Sequence, residues 1–190
     1  KEEEYRKHLK EWYGLGMTTV ALSIVHYDDK INQEIYTPYG DYPNLEKTID
    51  LLHSEGLSVR LSCMMAKGYI DSIESIDNLV DYAKENRVEQ LTVRRVEKPE
   101  NSRDENAASW VSEHYLPNEE ITRIRDYLDS HGKRLMELPH GAVVYDYKGQ
   151  NICLNNCLTI DPKEETIRQL IFFPDGHLRY DWQYEGAILI

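Results

Sequence analysis

Cysteine is scarce in this chain: three residues in 190, an odd number that does not suggest a disulfide framework. Such a pattern is typical of a reducing compartment, so we expect a cytoplasmic location. No apolar run approaches the roughly 20 residues that cross a bilayer, and the charged opening KEEE is unlike a signal peptide. Because the chain begins without methionine, we expect that it was processed or is a fragment.

Basic residues are also few, with 22 Lys and Arg against 34 Asp and Glu, which gives a net charge of −12. Nonspecific nucleic-acid binding needs a basic face, and so does binding to an anionic membrane surface, so both classes are disfavoured. We expect a small molecule as the substrate or ligand. Hydrophobic residues make up 41% of the chain, enough for one domain with at most a small appendage.

The first hundred residues alternate between helical and strand patterns. Apolar residues recur every three or four positions in three segments and form nearly continuous runs in three others, which predicts helix, strand, helix, strand, helix, strand. The predicted strands are 18–25, 57–65 and 90–96. Nearly continuous apolarity is typical of strands covered on both faces, and the alternation implies parallel strands joined by right-handed crossovers. The predicted fold class is therefore α/β.

The second half of the chain changes character. A charged segment with a proline at 98–105 predicts a linker, and a helix follows from Pro117 to about His131. Four short strands are predicted in the tail, with hairpin turns at Lys148-Gly149 and Pro174 to Gly176: 142–147, 150–154, 167–173 and 177–182. We therefore expect a βα unit over 1–98, a linker and helix over 99–135, and an antiparallel β appendage over 136–190.

Four motifs share an order and a spacing with a known family. They are LSI at 22–24, GLSVRLS at 56–62 followed by Lys67-Gly68 and Ile70-Asp71, VRRVE at 93–97, and FPDGHLR at 173–179. Together they resemble the later half of a radical S-adenosylmethionine enzyme barrel, in the branch that includes the molybdenum-cofactor GTP cyclase. The resemblance covers roughly residues 1–97 and the last hairpin.

The resemblance implies a partial (half) βα barrel, similar to part of a TIM barrel. It also implies that the intact protein binds S-adenosylmethionine and a 4Fe-4S cluster, and makes a 5′-deoxyadenosyl radical that abstracts hydrogen from a substrate. The family's three-cysteine loop and Gly-Gly-Glu segment are absent from these residues, and Ser62 replaces the family's asparagine. We therefore expect a carboxyl-terminal fragment that is inactive alone and binds neither cofactor by itself.

The resemblance also implies which residues line the cofactor or substrate side: Ser23, Arg60, Ser62 and one of Arg94 and Arg95. Strand alternation puts Arg60 and Ser62 on one side, and the two adjacent arginines on opposite sides. From the residues alone, the serines are equally consistent with ordinary strand positions. An arginine here is equally consistent with an ion pair to a neighbouring acid.

Two cysteines form a weak candidate metal site. Cys153 and Cys157 are spaced so that both thiolates could reach one ion, with His140 and His177 as the nearest further ligands in sequence. A structural site requires four ligands, and there is no second cysteine pair. The competing interpretation is a pair of ordinary small thiols.

Other functions remain open. Asp28 and Asp29, with His26 beside them, follow the first strand and would suit a divalent ion or acid–base chemistry, although adjacent carboxylates there are commonly solvated. One alternative is therefore a small enzyme of another βα class. A second is a non-enzymatic α/β module that binds a partner through its β appendage. A half barrel also predicts open sheet edges and an exposed apolar lumen face, and hence a homodimer or capping by the tail.

Overall fold

The computed structural model describes residues 2–98, 105–138, 141–155, 170–180 and 188–190. In chain order its elements are α1 (Glu2–Gly14), β1 (Thr19–Ile24), α2 (Asp29–Tyr36), α3 (Leu45–Ser54), β2 (Ser58–Met65), α4 (Ile73–Glu85), β3 (Gln90–Arg95), α5 (Glu105–Glu113), α6 (Asn118–His131), β4 (Lys133–Glu137), β5 (Val143–Tyr147), β6 (Gln150–Asn155), β7 (Ile171–Phe172) and β8 (Leu178–Arg179). The chain divides into two compact units, Lys1–Asn155 and Asn156–Ile190.

The first unit is built on one six-stranded sheet with the order β1-β2-β3-β6-β5-β4. Strands β1, β2, β3 and β6 are parallel neighbours, and β5 and β4 complete the sheet in antiparallel fashion. The second unit contains the antiparallel pair β7 and β8. The predicted α/β class, with a parallel sheet and a separate small antiparallel sheet, is confirmed, and the architecture is consistent with a partial βα fold.

Side-chain caps explain where the crossover helices begin. The Asn44 side chain accepts a hydrogen bond from the Lys47 backbone N–H at 3.0 Å and so starts α3. Ser72 and Ser75 form a reciprocal capping box that starts α4.

Among the described residues, the larger hydrophobic core lies on one face of the sheet. On β2 the alternate residues Val59, Leu61, Cys63 and Met65 are fully shielded and pack with the buried stripes of α3, α4 and α6. We call this the apolar face. The prediction that the strands are covered on both faces is wrong for β1, because Ala21 and Ser23 are exposed. The larger apolar residues of β1, Val20, Leu22 and Ile24, alternate along the strand and therefore need only one covering layer.

Three elements and one boundary differ from the sequence predictions. α2, α5 and β4 occupy segments where the sequence predicts no regular structure. The boundary between units follows Asn155, later than the predicted limits at 98 and 136. The boundary lies after Asn155 because β6 pairs with β3 as a fourth parallel strand and brings β5 and β4 into the same sheet. Such long-range pairing leaves no local sequence signal.

Candidate functional site

The face of the sheet opposite α3, α4 and α6 is polar, and we call it the polar face. Strand alternation and the pairing register give its members on the four parallel strands: Thr19, Ala21, Ser23, Ser58, Arg60, Ser62, Met64, Gln90, Thr92, Arg94, Asn151, Cys153 and Asn155. All of these positions are described by the structure, and none is a carboxylate. In a chain of net charge −12, this face therefore carries two arginines without a balancing acid on the parallel strands.

A row of hydroxyls crosses the polar face. Ser23 pairs with Ser62, and Ser62 pairs with Thr92, so the three side chains lie side by side at the strand spacing of about 4.8 Å. Among the described residues, no hydrogen bond satisfies these three hydroxyls through their side chains. They are therefore available to donate to, or accept from, a ligand.

Two arginines flank the hydroxyl row. Arg60 precedes it on β2 and donates through Nε to Gln90 Oε1 at 2.7 Å. Arg94 follows it on β3 and is exposed, and within the described part of the chain it has no ion pair or hydrogen bond through its side chain. The predicted residues Ser23, Arg60, Ser62 and Arg94 thus lie together on one face.

Arg95 lies on the other face of β3 and is held there. Its guanidinium donates to the Leu116 carbonyl at 3.2 Å and to Asn118 Oδ1 at 2.7 Å, and it lies 4.5 Å from the centre of the Tyr115 ring. Glu97 is within 3.5 Å, the neighbouring acid that the sequence allows as a partner. Arg95 therefore anchors the start of α6, and the structure does not bring it to the polar face.

The carboxyl ends of the first three strands are closed by an apolar cluster. Val25, Ala66 and Val96 are buried and pack with partly buried side chains from α2, β2, α5 and the loop after β2: Ile35, Tyr36, Met64, Tyr69, Trp110 and Val111. Ligands of open α/β sheets commonly bind beyond the carboxyl ends of the strands. In this chain the apolar cluster occupies the carboxyl ends of β1, β2 and β3. The accessible polar surface is therefore the polar face, which extends along the strands from that cluster toward their amino ends.

Tyr36, the last residue of α2, is a member of this cluster that the sequence does not single out. Its hydroxyl oxygen is shielded from solvent and, within the described chain, has no hydrogen-bond partner. Burial raises the pKa of Tyr36, and the positive charge of Arg94 acts in the opposite direction. The signal for α2 was present in the sequence, because Ile31 and Ile35 are spaced by one helical turn after the capping residue Asp28.

The paired aspartates after β1 have structural partners. Asp28 Oδ1 accepts from the Lys30 N–H at 2.8 Å and caps α2. Asp29 accepts from the Leu45 N–H at 3.1 Å and from the Asn44 side chain at 2.8 Å, which ties α2 to the start of α3. These contacts give the pair a capping role, and an acid–base role for either residue stays a prediction.

His26 also takes part in the turn before α2. Its Nδ1 accepts from the Asp28 N–H at 3.0 Å, which requires the neutral ring. Partial burial lowers the pKa of His26, and the nearby carboxylate of Asp28 acts in the opposite direction. The local geometry therefore favours unprotonated histidine at neutral pH.

The candidate thiol site lies only partly within the described residues. Cys153 is half-buried on the polar face, whereas Cys157 and His140 lie outside the described residues. His177 makes an ion-pair contact with Asp175 at 3.2 Å. Among the described residues, no three His, Cys, Asp or Glu side chains cluster closely enough to hold a metal ion. A metal site at Cys153 and Cys157 stays a prediction.

Comparison with known proteins finds a weak structural likeness. No family model matches the chain, and no curated protein matches it. A crystal structure of Streptococcus suis SuiB is similar, with 19% identity, a TM-score of 0.40, and coverage of 73% of this chain and 27% of that chain. A crystal structure of SuiB bound to S-adenosylmethionine is similar over 59% of this chain and 23% of that chain, with 23% identity and a TM-score of 0.34.

The chain thus spans about a quarter of the length of these SuiB structures. At these TM-scores the likeness supports no conclusion about the chemistry of this chain. Separately, none of the described helices has the length and apolarity needed to cross a bilayer.

Proposed function

We propose that this chain is the carboxyl-terminal part of a radical S-adenosylmethionine protein, and that the polar face forms one wall of its cofactor and substrate site. The supporting observation is the position of Ser23, Arg60, Ser62 and Arg94. The motif order in the sequence singles them out, and they lie on one face of a parallel sheet with their side chains directed away from the core.

The residues of the polar face fit the chemistry of S-adenosylmethionine. Its methionyl carboxylate requires a cation or several hydrogen-bond donors, which Arg94 or Arg60 would supply. Its ribose hydroxyls require groups that both donate and accept, which the row of Ser23, Ser62 and Thr92 would supply. In this proposal these side chains bind and orient the cofactor.

The described residues do not fit a 4Fe-4S cluster. A cluster requires several thiolates on one accessible surface. Cys63 is fully buried on the apolar face, where burial raises the pKa of its thiol, and its Sγ lies 3.7 Å from the Val25 carbonyl. In the proposal, the cluster and the reductive cleavage that it supports belong to a segment preceding Lys1.

The test begins with the coding sequence upstream of Lys1 in the same frame. We expect a Cys-x-x-x-Cys-x-x-Cys segment followed by Gly-Gly-Glu. The full protein, reconstituted with iron and sulfide and reduced with dithionite, should then release 5′-deoxyadenosine from S-adenosylmethionine. Arg94→Gln and Ser62→Ala should lower that rate, and Arg87→Gln, a surface variant at the Asp50 ion pair, should not. A stop codon or a start codon directly upstream would contradict the proposal.

A second candidate is a non-enzymatic α/β binding module, and two observations favour it. The carboxyl ends of β1, β2 and β3 are closed by the apolar cluster around Val25, Ala66 and Val96. The predicted exposed apolar lumen face is also wrong for the described strands, because its positions carry mostly hydroxyl, amide and guanidinium groups. Size-exclusion chromatography with light scattering separates the candidates: a module should be monomeric, whereas an open half barrel should form a homodimer through its edges.

A further inference from the structure

On its four parallel strands, the polar face has a local charge opposite to that of the whole chain. Over the described positions of the four parallel strands it carries Arg60 and Arg94 and no acid, although acids outnumber bases 34 to 22 in the sequence. The two arginines lie on adjacent strands and four residues apart in register, or roughly 14 Å between their Cα atoms. An excess of positive charge over a surface rich in hydroxyl groups favours an anionic ligand.

The two arginines differ in how their guanidinium groups are occupied. Arg60 already donates to Gln90 at 2.7 Å. Arg94 is exposed, and the structure shows no side-chain hydrogen bond or ion pair from it to any other described residue. Its neighbour Arg95 already donates to Leu116 and Asn118. An arginine whose five donors face solvent beside polar side chains is the more available anion-binding group of the pair on this face.

The Tyr36 side chain packs at the Arg94 end of this face. Tyr36 and Met64 belong to the same apolar cluster, and Met64 is the direct register partner of Arg94. The ring of Tyr36 stacks on Tyr42, with centroids 6.1 Å apart and planes 7° apart, which fixes its orientation. Its hydroxyl is shielded from solvent and has no hydrogen-bond partner in the described chain. A buried hydroxyl without a hydrogen bond is unfavourable, and a bound ligand could supply that bond.

We infer that the Arg94 guanidinium and the Tyr36 hydroxyl together bind an anionic group, a carboxylate or a phosphate, at the end of the polar face nearest the apolar cluster. The hydroxyls of Ser62 and Thr92 then contact the remainder of the ligand. This inference rests on the proposed function for the choice of face, and it adds Tyr36 and selects Arg94 over Arg60 as the anion-binding arginine. The electrostatic influence of Arg94 on Tyr36 is consistent with their proximity.

The test is a nuclear magnetic resonance titration of the full 190-residue chain with inorganic phosphate and, separately, with acetate. We expect saturable shifts of the Arg94 side-chain Nε–Hε signal and of the backbone amides of Ser62, Thr92 and Arg94. Tighter binding of phosphate would identify a phosphate ligand, and tighter binding of acetate would identify a carboxylate. Either result supports the inference.

Five variants make the result specific. Arg94→Gln should abolish saturable binding, and Tyr36→Phe, which removes one hydrogen bond, should weaken it roughly tenfold. The matched controls are Arg87→Gln and Tyr39→Phe, which change an exposed arginine and an exposed tyrosine elsewhere and should leave the affinity unchanged. Unchanged dispersion of the amide spectrum would show that each variant is folded, and Arg94→Lys provides a charge-conserving variant that should bind more weakly than wild type.

Equal affinities for Arg94→Gln and Arg87→Gln would overturn the inference, as would shifts that never saturate or that spread over the whole chain. Failure of the proposed function is distinguishable from this outcome. Absence of a cluster motif upstream of Lys1 would remove the radical chemistry but leave anion binding by the chain intact. If that motif is present but the chain binds no anion, only the anion-binding role of Arg94 and Tyr36 would be rejected.

Discussion

Neighbouring residues of β2 face two different environments. Leu61 is fully shielded among the side chains of the covering helices, whereas Ser62, the next residue, is half-buried on the polar face between Ser23 and Thr92. The apolar face is formed by aliphatic and aromatic residues whose burial stabilises the fold. The polar face contributes little burial but holds hydroxyls and a guanidinium without described partners. Side-chain alternation thus separates stability from recognition within a single strand.

The largest difference between the two faces should be in the free energy of unfolding, when a side chain of the apolar face is truncated. We expect Leu61→Ala to lower the free energy of unfolding by about 3 kcal/mol, because the site is fully shielded and the cavity cannot collapse completely. Ser62→Ala should change it by less than about 0.5 kcal/mol. Urea unfolding followed by circular dichroism measures both. Similar losses of unfolding free energy for the two variants would show that the two faces contribute equally to stability.

Asn32 is a buried polar residue that stabilises the fold, in contrast to the polar residues of the polar face. Its Oδ1 accepts from the backbone N–H groups of Val25 and His26 at 2.9 and 3.1 Å, and its Nδ2 donates to the His26 carbonyl at 2.6 Å. Asn32→Ala leaves these buried groups without partners, so we expect a loss of about 2 kcal/mol. Glu34→Ala, at an exposed position of the same helix, is the control for urea unfolding. A loss no larger than the control's would show that β1 does not need this bridge.

A smaller effect should follow from removing the cap of a covering helix. Ser72 accepts from the Ser75 N–H at 3.2 Å at the start of α4. We expect Ser72→Ala to cost about 1 kcal/mol in thermal or urea unfolding. Ser109→Ala, in an exposed position within α5, is the matched change and should be close to neutral. If both serines behave alike, the capping box contributes nothing to the apolar layer.

The smallest effect should be the pH dependence contributed by His26. Burial lowers the pKa of His26 below its ordinary value of 6.5, so the unfolded chain binds the proton more readily than the folded chain. Its contribution to stability is therefore complete above pH 6.5 and is lost as the pH falls through the folded pKa. Urea midpoints at pH 7.5 and pH 5 should differ more for wild type than for His26→Gln. Equal differences would exclude a role for His26 in anchoring the turn before α2.

The strands and crossover helices of the first hundred residues were predictable because their signals are local. Asn44 and Ser72 belong to the residue types that cap helices and stand at the starts of α3 and α4, and the strand patterns of β2 and β3 end within a residue or two of their predicted limits. The α2 helix was missed because its acidic start was interpreted as a polar strand end, where the two carboxylates would be solvated or would act as ligands. The β4 strand was missed because all five of its residues are exposed and show no alternation of burial.

The candidate site was predictable in composition but not in geometry. Strand alternation shows that Arg94 and Arg95 lie on opposite faces, but nothing in the local pattern shows which face the helices cover. That choice depends on long-range packing, including the Leu116 and Asn118 contacts that hold Arg95. Tyr36 could not be placed beside Arg94 from the sequence, because their proximity depends on the path of α2 over the ends of the strands.

The most direct test of the separate roles of the two faces uses the adjacent residues Val93 and Arg94 of β3. The free energy of unfolding and the phosphate affinity should be measured together for Val93→Ala and Arg94→Gln. We expect Val93→Ala to lose about 2 kcal/mol of stability while its folded fraction binds phosphate as wild type does. We expect Arg94→Gln to keep its stability within about 0.5 kcal/mol and to lose saturable binding. An Arg94→Gln variant that is destabilised like Val93→Ala, with phosphate affinity unchanged, would contradict the account.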